Sequence, residues 1–135
     1  MLSARQAFFK RVYTYFPQKG SKLRGAPQIR GVVLRLRICT PRKPNSARRP
    51  VVKSFLTTKV YTLAYIPGIG HSLRRNSRVL IRGGGARDVP VVNYSCCRGV
   101  YDLSGVLNRR TRRSIYGVKR NPEEVSFIRR KFRAL

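Results

Sequence analysis

Gly31-Val32-Val33-Leu34-Arg35-Leu36-Arg37-Ile38-Cys39 is the point at which the chain turns to a period of two. Val32, Leu34, Leu36 and Ile38 alternate with Val33, Arg35, Arg37 and Cys39. Successive side chains of a strand point to opposite faces, so this spacing predicts a strand with one apolar and one largely cationic face. Such a strand needs partners, which decides how the flanking segments are read.

Downstream, residues 51–58 and 59–66 are rich in β-branched and aromatic side chains and predict two further strands. Thr57-Thr58-Lys59 separates them without a strong turn signal, whereas Pro67-Gly68-Ile69-Gly70-His71 is a turn by composition. Residues 77–82, with Val79, Leu80 and Ile81, predict a short strand ended by Gly83-Gly84-Gly85, and residues 91–98 a fifth. Five short strands joined by basic loops give an all-β expectation. A five-stranded closed Greek-key barrel of the OB type fits, and an open sheet or SH3-like barrel would look similar. The boundaries expected are a basic N-terminal arm over 1–30, the barrel over 31–105 and a basic C-terminal tail over 106–135.

Between the first two strands lies Thr40-Pro41-Arg42-Lys43-Pro44-Asn45-Ser46-Ala47-Arg48-Arg49-Pro50. Its three prolines remove backbone donors and push the preceding residues towards extended geometry, so neither a helix nor a central strand runs through it. One reading is a solvated basic loop. The other is a stiff finger with four cations and a polar Asn45-Ser46 tip, which loses little entropy on docking and suits a phosphate-rich surface.

Charge favours the second reading. Among 135 residues, 31 Lys and Arg face 4 acidic residues, a net charge of +27. Few of these cations can pair internally, and their repulsion opposes compaction. Nucleic acid removes that penalty best, because each neutralised phosphate releases condensed counterions. An anionic membrane is the competitor, but no stretch approaches the roughly 20 apolar residues of a span. Cys39, Cys96 and Cys97 form no disulfide framework and fit a reducing compartment or buried thiols.

The two ends are basic and apolar by turns. Phe9, Val12, Tyr13 and Phe16 have helical spacing opposite Lys10 and Arg11, and Pro17 stops the run. This acid-free start also has the character of an organelle transit segment; we read it as an arm that packs on a partner. Residues 106–120 carry Arg109, Arg110, Arg112, Arg113, Lys119 and Arg120 without a hydrophobic period, which predicts an extended tail ordered by its partner. Asn121-Pro122-Glu123-Glu124 has the marks of a helix start, and Val125, Ile128, Phe132 and Leu135 would share one face of a short helix.

Catalysis finds no foothold. Gly83-Gly84-Gly85 lacks the spacing and following Lys-Ser/Thr of a phosphate-binding loop. His71 stands alone, which leaves a Ser or Cys nucleophile without its usual base and a metal without a histidine cluster. Asp88 and Asp102, among so many cations, are expected to be ionised and structurally paired. We expect no enzyme, no cofactor and no metal.

Several motifs occur in one order: Pro27-Gln28-Ile29-Arg30-Gly31-Val32, the finger, Ile66-Pro67-Gly68 with Gly70-His71, residues 77–84, Arg87-Asp88-Val89-Pro90, Arg98-Gly99, Ser104-Gly105-Val106, and Ser114 with Tyr116-Gly117-Val118-Lys119-Arg120. Over about residues 23–120 the chain thereby closely resembles the S-twelve family of small-subunit ribosomal proteins. The finger and the Tyr116–Arg120 run are its most specific motifs.

The resemblance implies an OB-type barrel at the decoding centre, with small-subunit rRNA, neighbouring ribosomal proteins and the mRNA–tRNA decoding site as partners. It implies two loops facing the codon–anticodon helix: Arg42, Lys43, Pro44, Asn45 and Ser46, then Arg87, Asp88, Val89 and Pro90. In the family these loops help monitor cognate pairing, and changes in them alter accuracy and streptomycin response. The aspartate matching Asp88 is β-methylthiolated in bacteria, so Asp88 is a candidate for that modification. Further rRNA contacts are expected from Arg30, Arg48, Arg49, His71, Arg82, Arg98, Arg109, Arg110, Arg113, Tyr116, Lys119 and Arg120. Stiff, polar-tipped cationic loops are what a site reading RNA shape and 2′-hydroxyls would use.

The chain departs from the family at Ile29, Ile69, Gly85, Val91, Asn93 and Ser95, where charged, glycine or histidine residues are usual, and at Pro50. Residues 121–135 run past the usual bacterial end. Added ends with apolar stripes suggest organelle-specific ribosomal neighbours, so a mitochondrial ribosome is expected, with plastid or bacterial cytoplasm as the alternative. Two other classes compete. A free RNA chaperone would stack bases on Tyr61, Tyr65, Tyr94 and Tyr101, and a lipid-binding protein would rest on the terminal amphipathic segments.

Overall fold

The long first strand organises the molecule. In the computed structural model, which describes residues 22–120, β1 (Gln28–Cys39) pairs along its length with β2 (Arg49–Leu56), from Gly31↔Leu56 to Cys39↔Arg49. The N-terminal part of β1 also pairs with β4 (Arg78–Gly83), from Gln28↔Arg82 to Val32↔Arg78. A strand with neighbours on both edges can close a sheet. Here β3 (Tyr61–Tyr65) and β5 (Tyr94–Cys96) complete a closed barrel in the order β1-β2-β3-β5-β4. All pairings are antiparallel except β3 with β5. This is the OB-type barrel expected from the sequence. The helices expected over residues 9–16 and 121–135 lie outside the described residues.

The simple alternation of β1 does not survive. Val33 faces Ser54 and Arg35 faces Lys53, so Leu34 is an extra residue, a β-bulge that shifts the face of every side chain beyond it. Val33 is therefore fully buried before the bulge and Leu36 packs on the core after it, while Val32, expected on the apolar face, stands outside at 38% exposure; Ile38 shares the face of Leu36 but is 72% exposed at the end of the strand, beside the finger. Closing a barrel needs such a bend in its longest strand.

Inside, Val33, Val52, Leu56, Ala64, Val79, Ile81, Cys96 and Leu103 form one cluster, with Leu36 packed against it. A fully buried aliphatic side chain contributes about 1.5–3 kcal/mol. Ser54 and Thr62, directly opposite each other on β2 and β3, satisfy one another inside this core through a 2.9 Å hydroxyl pair. The fifth strand is shorter than predicted. Val91 sits at φ 69° and Gly99 at φ 76°, conformations that cannot continue a strand.

Residues 106–118 are also unlike the extended tail expected. Val106 N–H donates to the Tyr116 carbonyl at 3.0 Å, and successive turns over 112–118 bring the segment back to the barrel. Gly117 makes this approach possible. It has φ 65°, and a Cβ there would lie 2.4 Å from the Arg98 carbonyl carbon. The missing hydrophobic period misled the reading, because backbone contact rather than side-chain burial docks the segment.

Candidate nucleic-acid interface

The finger leaves β1 after Cys39 and re-enters the sheet at Arg49. Every residue from Arg42 to Arg48 is exposed, and a turn closed by Asn45 N–H to the Arg42 carbonyl (3.0 Å) shapes it. The prolines thus hold Arg42, Lys43 and Arg48 clear of the barrel, with Pro44, Asn45 and Ser46 at the tip.

The second loop, residues 84–93, is fastened to the outside of the barrel wall. Val89 and Val92 pack on Val51 with Cys39, Leu63, Tyr65 and Ala86, a satellite apolar cluster separate from the main core. The loop closes tightly: a Cβ on Gly85 would fall 1.8 Å from the Val92 carbonyl oxygen. Glycine is therefore the one residue type that fits at position 85. Val89 is buried, whereas Arg87 and Pro90 are exposed.

Asp88 joins the two loops. Its backbone carbonyl accepts from Arg42 N–H at 2.8 Å. Its Oδ2 accepts from Arg49 Nε at 2.8 Å and Nη2 at 2.6 Å, and from Asn45 Nδ2 at 3.4 Å. Arg49, at the base of the finger, stands over the Tyr65 ring with its Cζ 5.8 Å from the centroid. The side chains of Arg49 and Asp88 are 33% and 14% exposed, so the pair is partly shielded. The guanidinium holds the Asp88 carboxyl below its ordinary pKa of 3.8, and the carboxylate raises that of Arg49 in return. A cleft of about 620 Å³ runs between the loops, with Asn45, Arg49, Arg82 and Arg87 on its walls. The expected structural pairing of Asp88 is present; its partner, 39 residues away, could not be read from spacing.

The remaining expected contacts divide. Arg30, His71, Arg82, Arg110, Lys119 and Arg120 are exposed. Arg109 lies with its Cζ 4.5 Å from the Tyr116 ring centroid, a cation–π contact that stiffens the returning tail. Arg113 is half-buried, and its Nη1 is buried without a hydrogen-bond partner.

Arg98 is a correction to the expected RNA contacts, since it lies inside the chain at 5% exposure. Its Nε donates to the Pro67 carbonyl at 2.7 Å, its Nη1 to that of Ser104 at 3.1 Å, and its Nη2 to that of Gly70. One fork thus ties the turn before His71 to the start of the tail, and burial lowers the Arg98 pKa. Of the tyrosines weighed as a stacking row, Tyr61 and Tyr101 are exposed at 56% and 52%, and the others are engaged. Tyr94 is partly buried against the core and its hydroxyl accepts from Lys22 N–H, Tyr65 sits beneath Arg49, and Tyr61 packs on Phe55 at 5.0 Å between centroids.

Among the described residues no helix is long and apolar enough to cross a membrane. No group of three or more His, Cys, Asp or Glu there could hold a metal ion.

The family model described as "Ribosomal protein S12/S23" matches residues 16–123. The "Small ribosomal subunit protein uS12m" of Paramecium tetraurelia is 58% identical over 109 residues, covering 81% of this chain and 78% of that protein. The mitochondrial type of this relative agrees with the location expected from the sequence. With its barrel closed, its two loops joined and four fifths of its length matched, the chain belongs to the ribosomal protein S12/S23 family: it is a structural protein of the small ribosomal subunit, of the mitochondrial type, and not an enzyme.

Proposed function

We propose that the finger and the 87–90 loop act as one rigid RNA-reading surface at the decoding centre, binding rRNA there and contributing to the accuracy of codon–anticodon recognition. The observation that carries this reading is the junction at Asp88, where Arg42, Asn45 and Arg49 converge on one residue of the second loop. Two loops held in fixed relation can test the shape of an RNA helix, which independently mobile loops could not do without an entropic cost on each contact.

Division of labour follows from exposure. Arg42, Lys43, Arg48 and Arg87 stand free to meet phosphates, and Asn45 and Ser46 can meet 2′-hydroxyls and base edges. Arg49 and Asp88 set the geometry. Methylthiolation at the Asp88 β-carbon would leave its carboxylate free to keep the Arg49 contact. His71, Arg82, Arg110, Lys119 and Arg120 supply surrounding rRNA contacts, and the basic N- and C-terminal arms meet rRNA and neighbouring proteins.

Lys43 tests this reading. It is an exposed cation beside the tip, with no structural partner to lose. Lys43→Thr and Lys43→Arg should change misreading frequency and streptomycin response while leaving subunit assembly largely intact. An unchanged error frequency in ribosomes shown to contain the variant would refute the assignment.

A further inference from the structure

A second surface lies at the other end of the barrel. Within β1, roughly 25 Å of strand separates Gly31 from Cys39 at the base of the finger. Beside Gly31 is a groove of about 480 Å³ whose floor is Gly31, Val32, Phe55 and Leu56. Two features create it. The bulge at Leu34 leaves Val32 pointing outward opposite Phe55, and Gly31 carries no side chain where β2 comes close: a Cβ there would lie 3.0 Å from Leu56 Cδ2.

The rim has the opposite character. Arg30, Lys59 and Arg78 surround the apolar floor. Among the described residues the ion pair formed is Arg49 with Asp88, at the far end, and none joins these three; the carboxylate beside them, Asp102, accepts from the Arg78 backbone N–H at 2.6 Å, so the rim carries three cations to one acid. Lys59 reaches the rim from a backbone at φ 61°, a left-handed position that favours Gly or Asn. A cation is thus held at the groove in spite of local preference.

We propose that this groove docks an acidic segment of a neighbouring protein, which seats one apolar side chain between Val32 and Phe55 and sets its carboxylates against Arg30, Lys59 and Arg78. The floor argues for a protein side chain over an extruded nucleobase. The backbone around it is already paired: Thr57 N–H with the Arg30 carbonyl, Leu56 N–H with that of Val60, and Lys59 N–H with that of Leu56. The rim side chains of Arg30, Lys59 and Arg78 are donors only, so the amino and imino groups of a base buried there would lose hydrogen bonds to water with Thr57 alone to replace them. An aliphatic or aromatic side chain incurs no such loss, and carboxylates complement the rim. The inference rests on membership of the small subunit alone and does not depend on the decoding assignment.

The test is photocrosslinking in purified small subunits, with p-benzoylphenylalanine in place of Thr57 and, in a parallel preparation, in place of Ser46. The expected result at Thr57 is a crosslinked peptide from another protein with acidic residues flanking an apolar one. Crosslinks to rRNA, to a peptide without acidic residues, or to nothing would each overturn the proposal. The Ser46 crosslink reports separately on the finger, so failure at one site is distinguishable from failure at the other. Adding Lys59→Glu and Arg78→Glu, both exposed positions, should lower the Thr57 yield about tenfold and leave the Ser46 yield unchanged. An unaltered Thr57 yield in subunits containing that variant would remove the electrostatic half of the argument and with it the proposed partner.

Discussion

Replacing Arg98 by Met should destabilise the protein more than any other single loss of charge. The methionine keeps much of the apolar stem but removes three donated hydrogen bonds, to the carbonyls of Pro67, Ser104 and Gly70. Pro67 is buried, so its carbonyl is left without a partner at a cost of about 2 kcal/mol. Ser104 and Gly70 are exposed, and water can replace the lost donors there at roughly 0.5 kcal/mol each. The expected loss is therefore about 3 kcal/mol, a large share of the stability of a small domain. Arg98→Lys preserves the charge but has a single ammonium and no planar fork, so it should recover less than half of the loss. Urea unfolding at high salt, where repulsion among the cations is screened, measures both variants by circular dichroism. A loss below about 1 kcal/mol for Met, or a lysine variant equal to wild type, would refute the view that the fork ties the His71 turn to the tail.

Three further outcomes follow from the same contacts. Asp88 has its pKa lowered by Arg49, so the stability from their pair is fully present above the ordinary value of 3.8 and is lost as pH falls through the lowered one; the stability gap between wild type and Arg49→Met should shrink on acidification, and a gap unchanged at about pH 2 would contradict the pairing. Val91 holds a β-branched side chain at φ 69° while 77% exposed, so Val91→Gly should stabilise by about 0.5–1 kcal/mol, relief of strain outweighing glycine entropy; a destabilised variant in the same urea assay would show that the side chain has a packing partner. Burial pushes the Cys96 thiol up to about 12, leaving about one thiolate in ten thousand at pH 8, so native alkylation should mark partly exposed Cys39 first and spare Cys96; rapid labelling of Cys96 would mean that the barrel opens.

The strands were legible because their cause is local. Alternation and β-branching marked β2, β3 and β4 to within a few residues, and turn-forming glycines and prolines marked the breaks. β1 was located correctly but its faces were not, because an extra residue inside a strand leaves no compositional trace, and here it puts Val32 before it and Leu36 after it on opposite faces. The finger was visible for a related reason: proline acts on its own neighbours. By contrast, Asp88 with Arg49 and Arg98 with Pro67 join residues 39 and 31 positions apart, and sequence shows the charges without the distances. Arg98 was grouped with the surface cations because nothing about an arginine announces burial among carbonyls. The folded tail was missed because its docking rests on Gly117 and neighbouring backbone, which hydrophobic periodicity does not detect.

The most direct test of the account is an electron cryomicroscopy map of the small subunit with a cognate mRNA codon and tRNA bound. The account predicts that residues 42–46 and 87–90 lie together at the codon–anticodon helix, with Arg49 still bonded to Asp88 and the Asn45-Ser46 tip within hydrogen-bonding distance of rRNA. Loops that face solvent or another protein, or that separate from each other on the subunit, would contradict it.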